Sequence, residues 1–293
     1  MRWDRGHTSD NVIDRRGAPG FGGGGGGRGI PIGIGGVLVL GVLSLVFGRD
    51  LLTPVLEGGD GGGGSADTSQ AVPIPAGQDP DAELVQFVSF VLDDTQSTWR
   101  RDFAQHQRPW HDAQLVLFTQ ATETGCGSAD TGVGPFYCPA DEHLYIDLAF
   151  YRELRTRFGA PGDFAQAYVI AHEIGHHVQH LLGIDARIQQ EQETRPDTAN
   201  DLSVRLELQA DCFAGVWARS TDRRQLLEQG DMQEAMTAAS AVGDDTLERR
   251  AGVTVRPDTF THGSAAQRTY WLHQGYQNGT IDGCDTYTDS QGH

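Results

Sequence analysis

Apolar residues recur with helical spacing over most of the chain beyond residue 80. Between residues 164 and 182 they cover so much of the surface that we expect a helix buried on most sides. Residues 143–148 instead alternate apolar with polar side chains, as a β-strand with one buried face does. These patterns indicate an α+β fold that is dominated by helices and contains a small β-sheet. The predicted helices lie near 83–105, 149–158, 164–182, 201–220, 232–242 and 264–277, and the predicted strands near 114–119 and 143–148.

Residues 81–293 are numerous enough to form one domain with a substantial core. Residues 1–28 are rich in Gly and Arg, and we expect them to form a disordered tail. Residues 49–80 are rich in Gly and Pro, and we expect them to form a flexible linker. Residues 29–48 carry no charge, and 20 helical residues rise about 30 Å, the thickness of the hydrocarbon core of a bilayer. We therefore expect one transmembrane helix. The alternative is a cleaved signal peptide, but no Ala-x-Ala cleavage site follows before Arg49.

All 22 basic residues of the chain are Arg, and five of them precede residues 29–48. By the positive-inside rule the short N-terminus stays in the cytoplasm, and the large domain faces away from it. The formal net charge of −18 disfavours binding to nucleic acid. We therefore expect a single-pass membrane protein that contacts the membrane through its one transmembrane helix and has an extracytoplasmic domain.

The four cysteines lie beyond the apolar segment, as expected for a domain in an oxidising compartment. Four cysteines permit three pairings. We favour Cys126 with Cys138, which closes a short loop rich in Gly and Pro, and Cys212 with Cys284, which ties the C-terminal region to the helix predicted near 201–220. The alternative is free, buried thiols. A cysteine zinc site is less favoured because no Cys-x-x-Cys spacing occurs.

The most buried predicted helix contains the sequence HEIGH, which begins at His172 and ends at His176. Residues four apart project from one helix face, so the two histidines can offer ring nitrogens to one metal ion. Glu173 then borders the metal and can act as the general base that takes a proton from an attacking water. The alternative is a helix whose histidines are solvated or make only core hydrogen bonds. We interpret His177 and His180 as flanking residues, although His180 could compete as a ligand.

A catalytic zinc ion usually has three protein ligands, so a third ligand is expected on another element. Glu207 is the best candidate because it lies on a second predicted helix, with Asp211 one turn beyond it. From that position Asp211 can accept the outer ring N–H of a ligating histidine and fix its tautomer. The rival carboxylates precede this position in the sequence, at Glu191, Glu193, Asp197 and Asp201.

His-Glu-x-x-His followed by Glu-x-x-x-Asp resembles the motifs of the gluzincin metallopeptidases. The chain is also similar to the bacterial neutral zinc metallopeptidases known as YpfJ-like proteins over most of its length. This resemblance implies a zincin-like peptidase domain with one zinc ion held by His172, His176 and Glu207, and with Glu173 as the catalytic acid and base. The segments that carry it are 126–127, 134–139, 171–179, 207–212 and 260–263.

A zinc peptidase also needs a donor for the negative charge that develops on the attacked carbonyl oxygen. His262 is our candidate, because it directly precedes a helix that Ser264 and Gln267 are expected to cap, and a rigid element can aim its ring. The alternative is a loop histidine that serves only the turn. Weaker candidates for the donor are Tyr137, Tyr145 and His273.

The sequence thus predicts a membrane-anchored zinc endopeptidase that hydrolyses peptide bonds in peptides or proteins. If residues 143–148 form an exposed sheet edge beside the zinc, an extended substrate could pair with that edge. The alternatives are a non-catalytic module that binds zinc or peptides, and a zinc amidase that acts on cell-envelope material. An open groove along a sheet edge would favour peptides, and a short polar pit would favour another amide.

Overall fold

The computed structural model describes residues 1–17 and 79–288. Helices predominate in this part of the chain and the strands form two small sheets, so the predicted α+β class is confirmed. Helices α1 to α8 span Ala82–Gln105, Ala149–Thr156, Asp163–Leu181, Ile184–Thr194, Ala199–Arg223, Asp231–Ala241, Asp244–Arg250 and Ala265–Asn278. Strands β1 to β6 span Val12–Asp14, Gln114–Phe118, Ala121–Thr124, Gly127–Asp130, Phe136–Cys138 and His143–Asp147. Short 3-10 helices span Thr131–Val133, Pro196–Thr198, Pro257–Thr259 and Ile281–Cys284.

All six predicted helices and both predicted strands are present, with small differences at their ends. The apolar pattern missed α4 because this helix is mostly polar and only Ile188 is buried. It missed β1, β3, β4 and β5 because each has only three or four residues, too few for an alternation to be recognised. These short strands matter for function, because β5 borders the candidate site.

The four-stranded sheet has the order β1-β2-β6-β5. β1, β2 and β6 are parallel, and β5 runs antiparallel to β6 with Phe136 opposite Tyr145. β6 is therefore an interior strand, so the hypothesis that it offers an exposed edge to substrate is wrong. In the described structure the edge on that side of the sheet is β5.

Two disulfides join the elements around the site. Cys126, in the turn between β3 and β4, bonds to Cys138 at the end of β5. Cys212, in the middle of α5, bonds to Cys284 in the last 3-10 helix. These are the two pairs favoured from the sequence. The first fixes the edge strand to a hairpin, and the second fixes the C-terminal region to α5.

Helix α5 approaches two other helices at backbone distance. A Cβ atom on Gly175 of α3 would lie 3.0 Å from the Cα of Ala210 in α5. Where α5 crosses α8, a Cβ on Gly275 would lie 1.8 Å from the carbonyl oxygen of Cys212, and one on Gly215 would lie 2.1 Å from that of Leu272. Glycine is therefore required for α8 to lie this close to α5.

Residues 1–17 pack against the domain. β1 is part of its sheet, the ring of Trp3 packs edge-on against that of Phe87, and Arg16 forms an ion pair with Asp79. The disordered tail predicted for residues 1–28 is thus not found over its first 17 residues, because their apolar and charged side chains have partners on the domain.

The predicted transmembrane helix, residues 29–48, lies outside the described residues. So do residues 18–28 of the predicted tail and residues 49–78 of the predicted linker. Among the helices that the structure does describe, none is both long and apolar enough to cross a bilayer.

Replacing Gly275 with Ala should destabilise the domain. The added methyl group would overlap a backbone carbonyl of α5, and overpacking of this kind typically lowers the free energy of unfolding by about 1–3 kcal/mol. Thermal denaturation measures the effect. The control is His273→Ala at an exposed position of the same helix, where we expect a change within about 0.5 kcal/mol. Equal stability of the two variants would contradict the close crossing.

Candidate metal centre

Three side chains that the sequence singled out converge between α3 and α5. The Nε2 atoms of His172 and His176 are 3.2 Å apart. Glu207 places Oε2 3.2 Å from Nε2 of His172 and Oε1 3.5 Å from Nε2 of His176. Two ring nitrogens from one helix and a carboxylate from another therefore meet at one point.

Hydrogen bonds on the outer side of each ring fix which nitrogen faces that point. His172 donates from Nδ1 to Oδ1 of Asp211 at 2.9 Å, as proposed for Asp211 from the sequence. His176 donates from Nδ1 to Oε1 of Gln179 at 2.8 Å. The amide of Gln179 is oriented for this role because its nitrogen donates to the carbonyl oxygen of Leu206. Neither ring then carries a proton on Nε2 when it is neutral.

This arrangement fits a zinc ion. Two unprotonated Nε2 atoms and a carboxylate oxygen would repel one another at these distances unless a proton or a metal cation lay between them. Ligand atoms about 2.0–2.2 Å from a tetrahedral zinc lie about 3.3–3.6 Å apart, close to the separations found here. With three protein ligands, a fourth position would stay open for water or substrate, as in catalytic zinc sites.

A second group of carboxylates with metal-like spacing contains Asp163, Asp231 and Glu234. The amino group of Met1 lies against this group, 2.7 Å from Oδ1 of Asp163 and 3.3 Å from Oδ1 of Asp231. An ammonium group already forms ion pairs with two of these three carboxylates. The geometry is thus consistent with one zinc ion per chain, at the histidines.

Arg268, which sequence reasoning missed, holds Asp211 in place. Its Nε and Nη2 donate to the two oxygens of Asp211 at 2.8 and 3.0 Å, and the hydroxyl of Tyr168 donates to the same carboxylate. Burial alone would raise the pKa of Asp211, but Arg268 and His172 lower it, so this buried carboxylate stays ionised. The sequence does contain one feature that could have pointed to Arg268: it is the only Arg, Asp or Glu in α8.

Glu173 is a buried carboxylate beside the three donors, and its side chain lines the same cavity. Among the described residues none donates a hydrogen bond to it. Burial raises its pKa, against the opposing effect of His172 and His176. A carboxylate with a raised pKa and no protein donor among the described residues is suited to accept and release a proton.

His262 also lines this cavity, from the segment before α8. Its Nδ1 is 3.0 Å from Oδ1 of Asp244, and the backbone N–H groups of residues 261–263 donate to the other oxygen of this carboxylate. The predicted capping box of Ser264 and Gln267 is present. Burial alone would lower the pKa of His262, but Asp244 and Glu207 raise it above 6.5.

The cavity that contains these groups has a volume of about 440 Å³. Beyond the polar groups its walls are mostly apolar, and one wall is the edge strand β5 with the turn before it. The apolar residues that contribute to the walls include Val133, Phe136, Phe150, Phe158, Val169 and Leu247.

The other sequence candidates lie further from the three donors. His177 is buried, its burial lowers its pKa to about 4, and it makes hydrogen bonds to Tyr137 and to the carbonyl oxygen of His111. His180 bonds to Asp185. Tyr137 lines the cavity. The remaining candidates, which do not line it, are Tyr145, His273, Glu191, Glu193, Asp197 and Asp201.

Replacing Asp211 with Asn should weaken metal binding. The amide keeps the shape but loses the charge that orients His172, and loss of such a partner typically lowers metal affinity about 10- to 100-fold. Competition with a chelator measures zinc affinity. The matched control is Asp201→Asn on the same helix, where the exposed carboxylate pairs only with Arg205, and where we expect unchanged affinity.

Comparison with known proteins agrees with this geometry. Residues 1–287 match the family described as "Putative neutral zinc metallopeptidase". The uncharacterized protein YpfJ of Escherichia coli (strain K12) is 42% identical over 296 residues, which cover 99% of this chain and 100% of YpfJ. The uncharacterized protein Rv2575 of Mycobacterium tuberculosis (strain ATCC 25618 / H37Rv) is 44% identical over 203 residues, or 66% of this chain and 67% of that protein. No solved structure is significantly similar. The chain belongs to the neutral zinc metallopeptidase family.

Proposed function

We propose that this protein is a zinc-dependent endopeptidase. The observation that carries the proposal is the meeting of three metal-binding atoms, from His172, His176 and Glu207, beside the buried carboxylate of Glu173, which has no hydrogen-bond donor among the described residues. A purely structural zinc site needs no such carboxylate and is usually closed by a fourth protein ligand.

Glu173 is the proposed general base and acid. When bound, zinc would lower the pKa of an attacking water and polarise the scissile carbonyl. Glu173 takes the proton from that water as it attacks, and then passes a proton to the leaving amine. Its raised pKa supports both steps, because the carboxyl group holds the proton long enough to deliver it.

His262 is the proposed donor to the carbonyl oxygen as negative charge develops there. Asp244 engages its Nδ1, which leaves Nε2 for the cavity. The raised pKa favours the protonated ring, whose Nε2–H can donate. Because Asp244 also accepts three backbone N–H groups, the position of the ring is fixed before substrate binds.

The shape of the cavity supports a peptide substrate. An edge strand, β5, lines it, and an extended peptide can pair with such an edge. The largely apolar walls can accept an apolar side chain next to the scissile bond. The two features argue against a short polar pit, which an amidase for cell-envelope material would favour.

We also propose that the peptidase works outside the cytoplasm and is attached to a membrane through residues 29–48. Its two disulfides support the location, because such bonds persist in oxidising compartments. The attachment rests on the uncharged, apolar sequence of these residues and does not depend on a single crossing of the bilayer.

The first test compares the full chain with its Glu173→Gln variant for zinc content and for cleavage of a peptide library. The full chain is needed because β1 belongs to the sheet. We expect one zinc ion in each protein, and a rate of cleavage about 100- to 10,000-fold lower in the variant, because the general base is lost.

The control for this test is Glu193→Gln, a change outside the cavity that should leave zinc content and rate unaltered. One zinc in both proteins with cleavage by neither would favour a non-catalytic module or another amide substrate. Equal cleavage by both would remove Glu173 from the mechanism.

Replacing His262 with Ala should lower kcat by about 100-fold while zinc content stays at one per chain, as for loss of one oxyanion donor. The wild-type rate should fall as pH rises through the raised pKa of His262, since the donating form is the protonated one. The variant should lack this alkaline decline. A pH–rate profile of both proteins measures it, and an unchanged profile would contradict the role.

A further inference from the structure

The two ends of the stretch that contains the apolar segment meet on the surface of the domain. Residues 18–78 lie between the two described ranges. Arg16 lies just before this stretch and Asp79 just after it. Arg16 donates from Nη1 and Nη2 to the two carboxylate oxygens of Asp79, at 3.1 and 2.7 Å. The Arg16 side chain is only 5% exposed and also pairs with Asp14. The chain thus leaves the domain and returns to it at one point.

The segment before this point is built into the domain. β1 is a parallel neighbour of β2, and the pairing is extended on both sides by hydrogen bonds from Leu115 N to Asn11 O and from Arg15 N to Leu117 O. Ser9 and His7 both bond to Asp93 on α1. Removing this segment to the other side of a membrane would break the sheet and leave these polar groups without partners.

We propose that residues 1–17 and residues 79–288 lie on the same side of any membrane that the protein enters. A chain that crosses a bilayer once places its two flanks on opposite sides, and these flanks share a sheet and an ion pair. A cytoplasmic N-terminus and an extracytoplasmic domain, as expected from the sequence, are incompatible with this packing.

The charge argument for a cytoplasmic N-terminus also weakens. The positive-inside rule applies to arginines in short segments flanking the membrane. Arg16 is instead neutralised by Asp14 and Asp79, and Arg15 donates to the backbone carbonyl of Glu123.

Cysteine labelling in a bacterial host tests the proposal on the full-length protein. Both pairs of native cysteines form disulfides, so one added cysteine would be the single reactive thiol of the described chain. Thr8→Cys reports the N-terminal segment and Gln233→Cys reports the domain, and both positions are exposed. A maleimide that cannot cross membranes is applied to intact spheroplasts and, as a control for reactivity, to lysed ones.

We expect the two variants to behave alike, with the ratio of labelling in intact and lysed spheroplasts agreeing within twofold. Labelling of both in intact spheroplasts places both flanks outside, and labelling of both only after lysis places both inside; either result supports the proposal. Labelling of one variant in intact spheroplasts and of the other only after lysis would overturn it. Because the readout does not depend on cleavage, it stands apart from the test of peptidase activity.

Discussion

The close approach of α3 and α5 is the constraint on which the site depends. The two histidines lie on α3 and the carboxylate lies on α5, so no metal site exists unless these helices touch at that level. Gly175, between Glu173 and His176, allows the contact because it leaves room for the backbone at Ala210. The glycine of the HEIGH sequence therefore has a packing role that is separate from the chemistry of its neighbours. A larger residue there would separate the ligands before it affected any of them directly.

Around this contact the charges are arranged in alternating layers. The acidic Asp211 lies behind His172, and Arg268 lies behind Asp211 on a third helix. The buried charges of Asp211 and Arg268 thus lie next to each other, which offsets the cost of removing both from water. The glycines where α5 crosses α8 contribute to this, because they bring Arg268 within hydrogen-bond reach of Asp211. Packing and electrostatics depend on the same helix crossing.

The sequence was most informative where all the residues of a group lie on one helix, because the helix fixes their relative positions. His172, Glu173 and His176 have fixed relative positions on any helix, so their convergence follows from spacing alone. Glu207 and Asp211 could be placed on one helix face for the same reason. That this face approaches α3 could not be predicted from the spacing. Arg268 was missed because its partners are 57 and 100 positions away, and no local pattern marks such contacts. β5 was missed because three residues are too short for an alternating pattern, so the edge was assigned to the longer β6.

The disulfide between Cys126 and Cys138 makes the covalent tie of β5 depend on the redox conditions around the protein. In the reducing cytoplasm, where the chain is made, such a bond stays open. The short strand that borders the cavity would then lack its covalent tie, while its pairing with β6 and the hydrogen bond between Tyr137 and His177 remain. Oxidation adds the tie to the β3–β4 hairpin and completes this wall of the cavity. If the domain works outside the cytoplasm, as proposed above, this wall of the cavity would be completed only after export.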